Sequence, residues 1–167
     1  MKRTLKAFGR PYEDGAIAIE AAITLPLLLL FLGLPSIFLA LYFRQYSAAQ
    51  KAVHDAAIYL STAPKLEMAT AGPDNNFAAL TLAGKVIARE MAGVVPADVT
   101  TDPYITCTYQ IGRATQVKPC TPTIFKNDTH TLIRFDVSVN FNFVNPLTGR
   151  ETGLLISTGA PVHYLGN

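Results

Sequence analysis

Between Ala21 and Phe43 the chain runs for 23 residues without a charge. As a helix rising about 1.5 Å per residue, such a segment is ~34 Å long, enough to cross a hydrocarbon core of about 30 Å. Cleaved secretory signals carry shorter apolar cores, about 7 to 15 residues, with a small-residue cleavage site close behind. Ser47-Ala48-Ala49 imitates such a site but lies past Arg44, beyond the apolar run. The segment therefore reads as a retained membrane helix. Pro26 and Pro35 interrupt it, and each lacks a backbone donor and crowds the carbonyl four residues back, which predicts kinks or a locally melted turn.

Charge fixes the expected orientation. The 167 residues hold 14 Lys+Arg and 12 Asp+Glu, a formal +2. Lys2, Arg3, Lys6 and Arg10 against Glu13 and Asp14 place that whole surplus before Gly15, and ten charges of each sign follow. Basic residues concentrated ahead of the span, with only Arg44 and Lys51 close behind it, put the N-terminus in the cytoplasm and the C-terminal body on the far side. So small a surplus cannot build the basic face that phosphate neutralisation requires, so no nucleic-acid partner is expected.

One carboxylate, Glu20, stands at the edge of the apolar run, where desolvating it is costly and a partner or a function is the default expectation. A lone interfacial Glu can also simply reach headgroup water. The residues around it make a fuller pattern: a short basic leader ends in Gly15, apolar sequence begins at once, and Glu20 follows five positions after the glycine. This arrangement resembles the processing site of a type IV prepilin. The resemblance implies cleavage by a prepilin peptidase on the cytoplasmic side, between Gly15 and Ala16, with the apolar helix left attached. Glycine suits such a site because a residue without Cβ allows close approach to the backbone. Ala16 and Glu20 are then i and i+4 on one helix face, so the new α-ammonium and the carboxylate can offset each other's desolvation. By the resemblance, Glu20 is equally able to meet the Ala16 amine of a neighbouring subunit, and the sequence leaves both pairings open.

Ala16 to Pro26 reads AIAIEAAITLP, followed by Leu27-Leu28-Leu29-Leu30-Phe31-Leu32-Gly33 and, after the span, Tyr42-Phe43-Arg44-Gln45 and an Ala-rich continuation to Ala57. This run is similar to the TadE-like minor pilins, or pseudopilins, of the Tad (Flp, tight adherence) system. The resemblance implies a single-pass protein of the bacterial inner membrane with a periplasmic C-terminal domain. It implies as partners the prepilin peptidase, other pilins or pseudopilins, the Tad inner-membrane assembly machinery and the lipid bilayer. The chain divides accordingly into a leader at 1–15, a transmembrane and assembly helix at 16–43, an extracytoplasmic extension of that helix at 44–62, and an α+β extracytoplasmic domain at 63–167.

Within the body, Tyr46, Ala49, Val53, Ala56, Ala57 and Leu60 recur at threes and fours, which carries the helix to about Ser61 before Pro64. Their small side chains permit close approach, either to other helices in an assembly or to the protein's own sheet. Residues 63–76 read as a connecting loop. Phe77, Leu80, Ile87 and Met91 mark a second amphipathic helix with Asn76 as its N-cap, stopped by Gly93 with Pro96 beyond. From Val99 the period turns to two: Ile133, Phe135, Val137, Val139, Phe141 and Phe143 alternate with polar residues as a half-buried antiparallel strand. Asn145-Pro146-Leu147-Thr148-Gly149 is a turn, and residues 154–158 and 162–164 form a shorter strand or pair, with Pro161 at an edge or a break. The expected class is α+β, a long N-terminal transmembrane helix extending into a small domain with a second helix and an antiparallel sheet.

Cys107 and Cys120 are the only cysteines. Outside the cytoplasm they are free to form a disulfide, and a pair of buried thiols is the alternative. His54, His130 and His163 lack the spacing of a metal site. No phosphate-binding glycine loop or nucleophile elbow is present in the sequence. No catalytic residue, metal, cofactor or small-molecule substrate is expected, and the protein reads as structural rather than enzymatic. The competing reading is a membrane-tethered periplasmic binding or adaptor domain with an uncleaved signal anchor.

Overall fold

The computed structural model describes residues 13–72, 76–96, 99, 101–126 and 129–166. The basic residues of the expected leader, Lys2 to Arg10, lie outside the described residues. The chain forms two compact units, one ending at Ala40 and one beginning at Leu41. Helix α1 (Glu13–Thr62) supplies the first unit and opens the second.

In the first unit the helical assignment continues through Pro26 and Pro35, so the melted turn expected from the prolines does not occur. Thr24 Oγ1 donates to Glu20 O at 2.8 Å, and Ser36 Oγ to Leu32 O at 2.6 Å. These hydroxyls bond back onto the helix beside each proline, one means by which apolar helices tolerate proline.

The second unit is α+β. After α1 come α2 (Lys65–Ala69), α3 (Ala78–Met91), β1 (Asp102–Ile111), β2 (Ala114–Pro119), α4 (Pro122–Lys126), β3 (His130–Asn145) and β4 (Arg150–His163). The strands make one antiparallel sheet in the order β2-β1-β3-β4. Two corrections concern the segment before α3. The expected loop at 63–76 contains α2, because Lys-Leu-Glu-Met-Ala behind Pro64 is a run of strong helix formers. The N-cap of α3 is Phe77, which makes no side-chain cap bond; its ring is buried instead, so packing rather than Asn76 sets the start of the helix. The helix ends as expected: Gly93 lies in the left-handed region at φ 79° and lets Val94 N and Val95 N return to Met91 O.

Strand β3 alternates as its sequence requires, burying Phe135, Val137, Val139, Phe141 and Phe143 on one face. Ile105, Cys107 and Tyr109 of β1 and Ile156 and Thr158 of β4 join them. β1 and β2 are joined through Gly112-Arg113, with Gly112 at φ 60° as a tight two-residue hairpin demands. β4 is one edge strand rather than two short ones. Pro161 is tolerated within it because its missing donor would face away from β3.

Candidate functional site: the apolar helix and the contacts of Gln45

The first unit presents hydrocarbon on every side. Ile17, Ile23, Leu28, Phe31 and Leu34 are 58% to 71% exposed, and no residue of the most apolar 18-residue window is buried. A helix apolar and exposed all round needs an apolar solvent, and this one fits a single-pass membrane anchor. Gly15 and Ala16 lie within α1, and Glu20 is exposed on it one helical turn beyond Ala16.

Within the second unit, α1 from Leu41 onward packs on the rest of the domain. Tyr42 stacks on Tyr46, with ring centroids 6.5 Å apart, and meets Phe43 edge-on at 6.0 Å. Aromatic rings with a polar tip favour the boundary between hydrocarbon and water. Tyr42 also meets Phe143 of β3 edge-on at 5.5 Å. One turn on, Gln45 is 2% exposed. Its Nε2 donates to Val144 O at 2.7 Å, and its Oε1 accepts from Val144 N at 3.3 Å. Pairing of β3 with β1 stops at Asn140, so Val144 has no β1 neighbour and the amide of Gln45 takes that place.

Beyond Gln45, the helix buries Ala49, Ala52, Val53, Ala56, Ala57 and Leu60 at 0% to 2% exposure. Of the two uses open to this small-residue stripe, packing inside the protein's own domain is the one observed. Lys51 bonds Glu90 of α3 and lies 3.8 Å from Asp55; the Glu90 contact, ahead of the Asp55 charge, raises the Lys51 pKa. Tyr59 donates to Glu67 of α2 at 2.9 Å, and burial, reinforced by that carboxylate, pushes its phenol up to about 12. At the far end of the helix, Leu165 N donates to Ser61 O at 2.9 Å and Tyr164 Oη to Ala63 O at 3.1 Å. Tyr164 in turn meets Phe135 edge-on at 5.8 Å, and burial raises its pKa.

Cys107 and Cys120 are disulfide-bonded, with Cα atoms 5.0 Å apart. Cys120 N donates to Ile105 O at 3.2 Å, so the bridge fastens the chain leaving β2 back onto β1. Among the described residues no group of three or more His, Cys, Asp or Glu is placed to hold a metal. Gln45 enters the family resemblance only within Tyr42-Phe43-Arg44-Gln45, where nothing marks its bonding to the sheet. Its signal was phase: it stands four positions before Ala49, in line with the buried stripe.

A family model described as TadE-like protein matches residues 15–57. The match opens at Gly15, includes Glu20 and the whole apolar run, and extends past Gln45 into the buried stripe of α1. No curated protein and no solved structure matches the chain.

Proposed function

We propose, from the match of residues 15–57 to the TadE-like family model, which associates the protein with Tad pilus assembly, that it is a minor pilin or pseudopilin. It is inserted through α1 as a single-pass protein of the bacterial inner membrane, with its N-terminus cytoplasmic and its α+β domain periplasmic. The prepilin peptidase cuts after Gly15, and the mature chain enters or primes the fibre together with other pilins and the inner-membrane assembly machinery. The role is structural, without catalysis or a cofactor. The observation that carries this reading is the extent of the TadE-like match, which begins at the glycine of the expected cleavage site and includes Glu20 and the apolar helix.

Cleavage would expose the α-amine of Ala16 four residues before Glu20, and a charge pair at that spacing lowers the cost of holding either group at the bilayer edge. Cleavage also removes the basic leader that holds the N-terminus in the cytoplasm. The deciding measurement is the N-terminal mass of membrane-extracted protein made with and without the peptidase. Loss of residues 1–15 only when the peptidase is present is the expected result. An intact N-terminus under both conditions, or cleavage near Ala49, favours a tethered periplasmic adaptor instead.

A further inference from the structure

Strand β4 is an edge of the sheet, and among the described residues no strand pairs with its outer side. The backbone groups it offers there follow from its ladder to β3. Tyr164 N donates to Ile133 O, and the register runs without a break from Arg134 opposite His163 to Asn142 opposite Leu155. An antiparallel strand turns its backbone groups to alternate sides. The even-numbered residues from 156 to 162 therefore bond β3, and Leu155, Ser157, Gly159 and Pro161 turn theirs outward. Pro161, without an N–H, closes the open stretch at one end. At the other end the pairing with β3 becomes irregular between Asn142 and Val144, and Gly153 lies at φ 74°. Between these limits the N–H and C=O groups of Leu155, Ser157 and Gly159 point away from the sheet.

Edge strands are ordinarily blunted by charge, brevity, proline or a bulge, so that no other chain pairs with them. The opposite edge, β2, is blunted: it is six residues long and contains Lys118 and Pro119. By contrast, β4 carries no Asp, Glu, Lys or Arg from Thr152 to its end at His163, and residues 155–159 contain neither proline nor bulge. Ile156 and Thr158 are buried on the α1 side of the sheet. Beside the edge on that side, Ser47, Gln50 and His54 of α1 line an open groove with Thr158 and Gly159. Lys51 also lines it, with its charge already met by Glu90 and Asp55.

We propose that residues 155–159 of β4 take up an extended segment of another protein as an antiparallel fifth strand, with small neutral polar side chains turned into the groove. The occupant is an extended backbone because only such a chain presents donors and acceptors at the two-residue spacing of Leu155, Ser157 and Gly159, and it continues the β3–β4 ladder outward. In antiparallel addition the residues bonded to β4 carry their side chains on the outer face beside Leu155, and the residues between them point into the groove. Neutral polar groups suit that groove because Lys51 is already paired, and Ser47, Gln50 and His54 offer hydrogen bonds rather than a fixed charge. All of these residues belong to the second unit, and strand addition at this edge is independent of processing after Gly15.

The test uses the full chain in detergent and a capped, fluorescein-labelled peptide, Thr-Val-Thr-Val-Thr-Val-Thr. The expected result is saturable binding by fluorescence anisotropy, with slowed hydrogen exchange at the amides of Leu155, Ser157 and Gly159. The same peptide N-methylated on its valines keeps every side chain but cannot donate to β4, and it is expected not to bind. Ser157→Pro removes the central outward donor and spares the β3 ladder, as Pro161 already does in the same phase. It is expected to weaken binding about tenfold, the loss of one hydrogen bond of ordinary net strength, with the unfolding midpoint unchanged. Should that variant disturb the fold, Ser157→Lys blunts the edge by charge instead and is expected to weaken binding likewise. Equal binding of the N-methylated peptide, protection at β2 rather than β4, or no binding to the parent chain overturns the proposal. Protection of the same amides without peptide, rising with protein concentration, also overturns it and assigns the edge to a second copy.

Discussion

Gln45 and Val144, 99 positions apart, are joined by two hydrogen bonds in which one side-chain amide meets both the carbonyl and the N–H of one strand residue. A helix side chain thereby takes the place of a missing strand. It satisfies buried backbone groups that would otherwise each cost about 1–3 kcal/mol. It also fixes where the sheet meets α1, just past the end of the apolar run.

Replacing this amide by a side chain of similar size isolates its polar role. Gln45→Leu is expected to destabilise the domain by about 2 kcal/mol, since both groups of Val144 lose their partner in a buried place. Gln45→Glu keeps the acceptor but turns an oxygen toward the Val144 carbonyl. It is expected to be at least as damaging at neutral pH and to recover in part in acid, when the carboxyl can donate. Thermal unfolding in detergent at the two pH values checks both, and an unchanged Gln45→Leu midpoint would sink the strand-mimic role.

The alanines of α1 set a distance rather than a contact energy. Ala56 is 0% exposed, so Ala56→Leu is expected to cost about 1–3 kcal/mol through overpacking. Ile58, 49% exposed on the same helix, is expected to accept Ala within about 0.5 kcal/mol. Denaturant midpoints of the two variants provide the comparison; equal values would mean that close packing does not govern the stripe.

The disulfide closes a short loop at a sequence separation of 13. Its removal by Cys107→Ala with Cys120→Ala is expected to lower stability by roughly 3 kcal/mol in the chain-entropy account. Protease resistance of the region from β2 to α4 should fall first. Limited proteolysis followed by mass measurement would show whether cleavage instead spreads evenly through the domain.

Alkaline pH should loosen the fold through Tyr59 and Lys51. Folding raises the Tyr59 pKa from its ordinary 10 to about 12, so its contribution is complete below pH 10 and is lost as pH climbs through about 12. Lys51, raised above 10.5 chiefly by its bond to Glu90, acts in the same direction. Tyr59→Phe is expected to flatten the fall in unfolding midpoint between pH 10 and pH 12. The same slope in Tyr59→Phe and the parent chain would exclude Tyr59 as the cause.

Two substitutions at the membrane edge separate processing from assembly. Gly15→Leu is expected to accumulate at precursor length. Glu20→Ala is expected to be cut normally yet to be poorly incorporated into the fibre. Immunoblots of membrane and sheared-fibre fractions read both outcomes, and normal incorporation of Glu20→Ala would end the charge-pairing idea.

The features visible in the sequence were those with a period or a long uniform run. The apolar helix follows from an unbroken uncharged run, the buried face of β3 from its alternation, and the end of α3 from a glycine able to take positive φ. The strand β2 was not visible, since no residue of it is buried and it therefore carries no apolar alternation. Helix α2 was hidden by flanking Pro, Gly and Asn, although its own five residues favour helix. The role of Gln45 depends on β1 pairing ending at Asn140, a long-range geometry that no local pattern encodes. Of the candidate site, Gly15 and Glu20 stand in the sequence as a motif, whereas the contacts of Tyr42 and Gln45 emerge only when β3 is brought alongside their part of α1.

The antiparallel course of α1 and β3, tied at Gln45–Val144 below and linked above through Ser61–Leu165 and Tyr164–Ile133, has a mechanical consequence. A pull along the stretch of α1 that lies within the second unit loads these ties in shear. They must yield together rather than one after another, as they would if the helix were peeled sideways. The domain is therefore expected to be stiffer along the axis of its own stretch of α1 than across it.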